Sequence, residues 1–79
     1  MSAISVSLEQ APLNESVVIA DVSQDPGVAH RLMTMGWHPG GRVRLVKRAS
    51  GGVKVIDLNG SRVAISKDLA RTLLVKVLT

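Results

Sequence analysis

The chain has 79 residues, a formal net charge of +4 and no cysteine. Val, Leu and Ile make up 25 of the 79 residues, which predicts a packed core and one small domain. The lack of cysteine excludes disulfides and thiolate metal sites, and no apolar run approaches the roughly 20 residues that span a bilayer. The first eight residues have neither a basic residue nor the pattern of a secretory leader, so we expect a cytoplasmic protein.

Two short stretches in the first third of the chain have the pattern of β-strands. Residues Ala3 to Leu8 alternate weakly between apolar and polar, which is typical of an edge strand or an ordered arm. Residues Ser16 to Val22 are rich in β-branched side chains and predict a second strand. Pro12 and Asn14, which precede this run, favour a turn that leads into it.

The clearest helix signal covers about residues 25–35. Asp25 is a good N-cap residue, and Pro26 suits the first helical position, where no backbone donor is needed. Apolar side chains then recur at helical spacing, among them Leu32, which we predict to face the core. Gly36 follows at the place where a left-handed residue usually closes a helix, so the helix is expected to end there.

In the second half of the chain the apolar period changes from that of a helix to that of strands. Two hairpins join the expected strands, one at residues 50–52 and one at Asn59-Gly60, where both residues tolerate the positive φ of a type I′ turn. A short helical turn at about residues 67–71 precedes a last strand. We therefore expect one domain over residues 1–79, mainly β (β-rich α+β), built as a small β-barrel with one inserted helix.

No arrangement of residues indicates an enzyme. The chain has neither Cys nor Tyr, its six acidic residues are scattered, and it contains no nucleophile-elbow or phosphate-loop pattern. His30 and His38 are the only histidines, whereas structural zinc sites usually use four Cys or His ligands. We therefore predict no cofactor and no bound metal, with His30 and His38 as weak candidates for metal ligands.

Two segments carry a resemblance to a known family. Residues Arg31 to Gly40, RLMTMGWHPG, place an Arg-Leu pair on the helix, a glycine at its end and Pro-Gly before the next strand. Residues Ile65 to Val75, ISKDLARTLLV, place a short helix with a central alanine before the last strand. Both segments resemble the FeoA family, and the resemblance extends from about Val6 to Leu78. It implies that the barrel is SH3-like.

The resemblance also implies a function and a partner. Members of the family accompany a large membrane protein of the FeoB type, which carries a GTP-binding domain and moves ferrous iron. We therefore expect a non-enzymatic accessory protein that binds the cytoplasmic GTPase-bearing region of this ferrous-iron transporter and does not itself insert into the membrane. Self-association into a homo-oligomer is an open alternative for a core of this size.

Two alternative interpretations stay open. The same domain ends metal-dependent transcription regulators of the diphtheria toxin repressor type, although no DNA-binding helices precede it in this sequence, which favours the transport role. A small basic barrel could instead bind nucleic acid. Six cations cluster around the central predicted strands: Arg42, Arg44, Lys47, Arg48, Lys54 and Arg62. Nucleic acid is nevertheless not the expected partner, because single-strand binders usually add aromatic platforms and the chain has one Trp and no Phe or Tyr.

A partner surface is predicted at the end of the inserted helix. Trp37 stands in a tight loop, where the family usually has a smaller aliphatic residue. A lone tryptophan is more often a core or lid residue than a binding anchor. If Trp37 is exposed, it forms with Met33 and Met35 a patch of the kind found in protein interfaces. Arg42 and Arg44 flank this patch, and their charge would steer an acidic partner. We therefore predict partner-binding residues at Met33, Met35, Trp37, Arg42 and Arg44.

Overall fold

The computed structural model describes residues 3–20 and 25–78, in which six strands form one antiparallel sheet. The strands are β1 (Ala3–Ser7), β2 (Ser16–Ile19), β3 (Arg42–Arg48), β4 (Lys54–Leu58), β5 (Ser61–Ile65) and β6 (Leu74–Leu78). Between them lie two α-helices, α1 (Pro26–Thr34) and α2 (Lys67–Thr72), and two 3₁₀ turns, Leu8–Gln10 and Ser50–Gly52. Among the described residues, no helix combines the length and the apolar character needed to cross a bilayer.

The order of strands across the sheet is β1-β6-β2-β3-β4-β5, so the first strand pairs with the last. β1 and β5 therefore stand at the two ends of the sheet, and for β1 this confirms the expected edge position. β2 begins at Ser16 as predicted and ends at Ile19. The end of the predicted strand, Asp21 and Val22, lies outside the described residues.

Helix α1 begins and ends close to the predicted positions. The Asp25 carboxylate accepts hydrogen bonds from the backbone N–H groups of Gly27, at 2.9 Å, and Val28, at 3.3 Å. These bonds satisfy two donors that have no partner within the first helical turn, and Pro26 at the first position has no donor to satisfy. Leu32 is 2% exposed, which confirms that it faces the core.

The hairpins form where the sequence predicts them. Asn59 and Gly60 have φ values of 54° and 83°, so the β4–β5 turn is type I′. The β3–β4 hairpin turns through Ser50–Gly52. A bulge between Leu45 and Lys47 shifts the register of β3 against β4 and bends the strand.

One hydrophobic core collects buried side chains from both helices and from the inner face of the sheet. Its fourteen buried members are Leu8, Ala11, Val17, Ile19, Leu32, Trp37, Val43, Leu45, Ile56, Leu58, Ile65, Ala70, Leu73 and Val75. Helix α2 contributes Ala70 and covers nearly the predicted range. Its N-cap is Ser66, whose hydroxyl accepts from the Leu69 N–H at 3.2 Å.

Replacing Leu32 by alanine should lower the free energy of unfolding by about 2–5 kcal/mol, because the change removes buried methyl groups and leaves a cavity. Met33→Ala is a matched control, since Met33 is the next residue of the same helix and is 53% exposed. The control should shift the free energy of unfolding by no more than about 0.5 kcal/mol. Urea unfolding measures both values, and equal stabilities would show that α1 does not pack through Leu32.

Candidate partner-binding surfaces

The chain leaves α1 through a turn that buries its only tryptophan. The Gly36 N–H donates to the Met33 carbonyl at 3.1 Å, and the Trp37 N–H donates to the Leu32 carbonyl at 2.9 Å. This pair of bonds is a Schellman motif, in which Gly36 takes the left-handed conformation, with φ of 102°. Trp37 and Leu32 both belong to the hydrophobic core.

Trp37 is therefore not the exposed anchor expected from the sequence. Its side chain has no accessible surface, so it packs among core side chains and cannot meet a partner in this fold. The order Met35-Gly36-Trp37 contains the signal that could have revealed this. A hydrophobic residue directly after the glycine that closes a helix frequently packs back onto the last turns of that helix.

Helix α1 also approaches the β4–β5 hairpin closely at this point. A Cβ atom on Gly36 would meet the end of the Asn59 side chain, which would have to move, and the positive φ favours glycine at this position. The end of α1 is thereby placed next to the last hairpin of the sheet.

Met33 and Met35 are both exposed, at 53% and 40%, but they border different depressions. Met33 lies with Ala29 and His30 in an open depression on α1. Met35 lines a more enclosed groove of about 320 Å³ between α1 and β5, which we call the α1–β5 groove. The α1–β5 groove is lined by Val28, Arg31, Leu32, Met35, Val63, Ala64, Ile65 and Leu69.

Arg42 and Arg44 lie on the side of the sheet that faces away from the core. Strand register places facing residues in two rows, Lys76–Val18–Arg42 and Ser16–Arg44–Asp57–Arg62. Residues directly opposite one another on antiparallel strands share a face. We call the surface formed by these seven residues the basic face, because it carries four cations and one acid. The structure thus brings Arg42 and Arg44 together, but in a different depression from either methionine.

The six cations predicted around the central strands occupy different environments. Lys54 is buried, and its ammonium donates to a backbone carbonyl of the preceding turn at 2.8 Å, so its expected place in an outer cluster is wrong. Its register neighbour Arg48 donates to the Ala11 carbonyl at 2.8 Å and ties β3 to the segment after the first 3₁₀ turn. Arg44 pairs with Asp57 at 3.2 Å on the basic face.

The two histidines stand on different elements. His30 is exposed on α1, and His38 is exposed in the loop after Trp37, with its imidazole beside Gly41. Within the described residues, no three His, Asp or Glu side chains are placed to share a metal ion, and no buried side-chain nitrogen or oxygen lacks a hydrogen-bond partner. The described residues therefore provide no ready-made metal centre, and the absence of a bound metal stays a prediction.

The antiparallel sheet curled around one core, with a helix inserted between β2 and β3, is the architecture of a small SH3-like domain. The model of the FeoA domain matches residues 6–77, and the chain therefore belongs to the FeoA family. The family and the SH3-like fold expected from the sequence are both confirmed.

Solved structures of other proteins share this fold. The FeoA protein of Chlorobium tepidum is 21% identical, with a TM-score of 0.83 over 94% of this chain and 71% of that one. The FeoA protein of Stenotrophomonas maltophilia, solved in complex with zinc, is 25% identical, with a TM-score of 0.74 over 89% of this chain and 88% of that one. The manganese-activated repressor ScaR is 16% identical, with a TM-score of 0.80 over 92% of this chain but 35% of ScaR. No curated protein sequence matches this chain significantly.

Trp37→Ala should lower the free energy of unfolding by about 3–5 kcal/mol, because a large side chain leaves the core. His38→Ala, one residue further on and exposed, is the matched control and should stay within about 0.5 kcal/mol of the parent. Denaturation followed by far-ultraviolet circular dichroism measures both without needing the tryptophan signal. Equal stability of the two variants would return Trp37 to the candidate contact residues.

Proposed function

We propose that this chain is a non-enzymatic accessory protein of bacterial ferrous-iron uptake, which acts in the cytoplasm by binding the GTPase-bearing region of the ferrous-iron transporter (FeoB type). The observation that carries the proposal is membership of the FeoA family over residues 6–77. In addition, the FeoA protein of Stenotrophomonas maltophilia, which is 25% identical, is described as a candidate activating factor of bacterial ferrous iron transport.

The placement of charged and apolar groups favours binding over chemistry. Among the described acids, Asp25 caps α1, Asp57 pairs with Arg44, and Glu9 pairs with Arg71 at 3.4 Å, so these carboxylates have structural roles. The exposed surface includes the basic face and the mostly apolar α1–β5 groove. Both are features of recognition surfaces.

The contact residues that remain candidates are Met33, Met35, Arg42 and Arg44. All four are exposed, in contrast to the fifth residue of the predicted set, Trp37. The two arginines lie on the basic face, and Met35 lies at the α1–β5 groove. A partner that covers both surfaces would meet charge on one side and apolar side chains on the other.

The burial of Trp37 argues further against nucleic acid as the partner. Single-strand binding draws on exposed aromatic side chains for base stacking. Trp37 is the only Phe, Tyr or Trp residue of the chain, and it has no accessible surface. The basic face therefore suits an acidic protein surface, which it would attract at long range.

A domain that acts by binding alone can regulate only if it prefers one state of its partner. GTPase regions differ between nucleotide states in the order of their switch segments, so a domain that binds one form more tightly raises the population of that form. A roughly tenfold preference corresponds to about 1.4 kcal/mol. The sign of the effect on transport then follows from which form is preferred.

Binding of the full chain to the detergent-purified transporter, loaded with GDP or with a non-hydrolysable GTP analogue, tests the proposal. Interferometry with immobilised transporter should show saturable binding, with unequal affinities in the two nucleotide states. No binding in either state, up to the solubility limit of the chain, would contradict the proposed function.

We predict that the basic face controls the rate of association with the transporter. Arg42→Glu lowers the net charge from +4 to +2 on the basic face, and Lys67→Glu makes the same change on α2. Because peripheral charges act mainly through long-range steering, Arg42→Glu should slow association at low salt roughly threefold or more and weaken its salt dependence. Lys67→Glu should keep most of the parent rate. An equal loss in both variants would mean that net charge matters and this face does not.

A further inference from the structure

Strand β5 ends the described sheet with one side of its backbone unpaired. It bonds to β4 alone, in a register where Leu58 faces Ser61 and Asp57 faces Arg62. The type I′ turn closes with a backbone bond between Leu58 and Ser61, and hydrogen-bonded pairs then alternate along an antiparallel ladder. By that alternation, the backbone N–H and C=O groups of Arg62 and Ala64 point away from β4.

The α1–β5 groove runs beside this free backbone. β5 contributes Val63, Ala64 and Ile65 to its lining, and α1 contributes Leu32 and Met35 among others. Most of the lining side chains are apolar, and the volume is about 320 Å³. Strand addition requires both features, because backbone groups supply the hydrogen bonds and a pocket receives alternate side chains.

The rim of the α1–β5 groove is basic. Arg31 lines the groove, and Arg62 stands on the strand at its edge. In the part of the chain that the structure describes, neither arginine forms an ion pair. Asp57, which faces Arg62 across the ladder, forms its ion pair with Arg44 instead, at 3.2 Å. The charge at the rim therefore complements an acidic occupant.

We propose that β5 and the α1–β5 groove form a docking site for an extended acidic segment of a partner protein, which adds to the sheet beside β5. Its backbone bonds to the free groups of Arg62 and Ala64, and its alternate apolar side chains enter the groove. Its acidic side chains alternate with the apolar ones, so they lie on the outer face of the sheet and pair with Arg62, while Arg31 makes the groove side of the rim basic. That this segment belongs to the transporter rests on the proposed function. That it is extended, acidic and partly apolar rests on the strand edge and the groove alone.

A second copy of this chain fits the same edge less well. Antiparallel pairing of two β5 strands would bring Arg62 of one copy close to Arg62 of the other, with Arg31 beside each groove. Like charges that face each other across a strand pair are destabilising, whereas an acidic segment turns the same positions into ion pairs.

The first arm of the test uses the full chain and a synthetic nonapeptide in which valine alternates with glutamate. A second nonapeptide, with lysine in place of glutamate, is the control for charge. In a titration followed by amide NMR, the glutamate peptide should shift the signals of Arg62, Ala64 and the groove residues. The lysine peptide should bind clearly more weakly, because its charges oppose those at the rim.

The second arm uses the full chain with the detergent-purified transporter, and amide hydrogen exchange is the measurement. Docking should slow exchange in the β5 segment roughly tenfold or more and leave β1, the opposite edge, unchanged. Ala64→Pro removes the backbone N–H of residue 64, which points away from β4, and so leaves the bonds to β4 intact. This variant should lose both the slowed exchange of β5 and the peptide-induced shifts. Ala64→Ser keeps the donor and should preserve both, and thermal melting checks that each variant is folded.

The outcomes separate the docking site from the proposed function. Peptide shifts at β5, or slowed exchange there on binding the transporter, support the docking site. If the glutamate peptide docks on β5 and the transporter does not bind, the proposed function alone fails. If the transporter binds without protecting β5 and the peptide shifts nothing there, the docking site is wrong and the proposed function stands. If the peptide shifts nothing at β5 and the transporter does not bind, both proposals fail. Concentration-dependent protection of β5 in the chain alone would make a second copy of the chain, and not an acidic partner, the occupant of this edge.

Discussion

Two backbone hydrogen bonds at the end of α1 determine how the rest of the molecule is arranged. The bonds from Gly36 to Met33 and from Trp37 to Leu32 turn the chain sharply out of the helix and direct the tryptophan into the core. Glycine suits this turn because its φ is positive, and a Cβ atom at Gly36 would also displace the Asn59 side-chain amide. The same turn sets the position of α1 next to the β4–β5 hairpin, and with it the walls of the α1–β5 groove.

The exterior follows from this arrangement of the interior. Once Trp37 is in the core, the surfaces available to a partner include the basic face and the α1–β5 groove. Arg62 connects these two, because it lies on the outer face of the strand that borders the groove. Two further cations serve the fold, since Lys54 and Arg48 donate to backbone carbonyls. Net charge therefore overstates the positive surface, and strand register decides which cations a partner can reach.

The sequence predicted most of the local structure, because the signals that define it are local. Asp25 and Pro26 mark the start of α1, and Asn59-Gly60 marks the last hairpin, through conformational preferences that act within a few residues. Burial of individual side chains is a different problem, since it depends on residues distant in sequence. Trp37 was predicted as a contact residue because it is a bulky side chain in a tight loop between Gly36 and Pro39, where a smaller side chain would complete the fold.

Register effects also explain the second error in the predicted surface. Lys54 shares a face of β4 with the buried Ile56 and Leu58 and so falls on the inner face, where its aliphatic stem is buried and its ammonium reaches the backbone of the turn before it. The bulge between Leu45 and Lys47 changes which residues of β3 and β4 oppose one another, and no residue type in that stretch announces it. The sequence therefore predicts that the central strands carry a basic surface, but it does not predict which residues make up that surface.

Fluorescence quenching of the native chain tests most directly the claim that the closing turn of α1 buries the tryptophan. Trp37 is the only tryptophan and the chain has no tyrosine, so the emission reports on this one side chain. The fold predicts blue-shifted emission that iodide quenches poorly in the native protein, together with a red shift and efficient quenching in urea. Red-shifted emission that iodide quenches equally well before and after unfolding would contradict it, because Trp37 would then be on the surface.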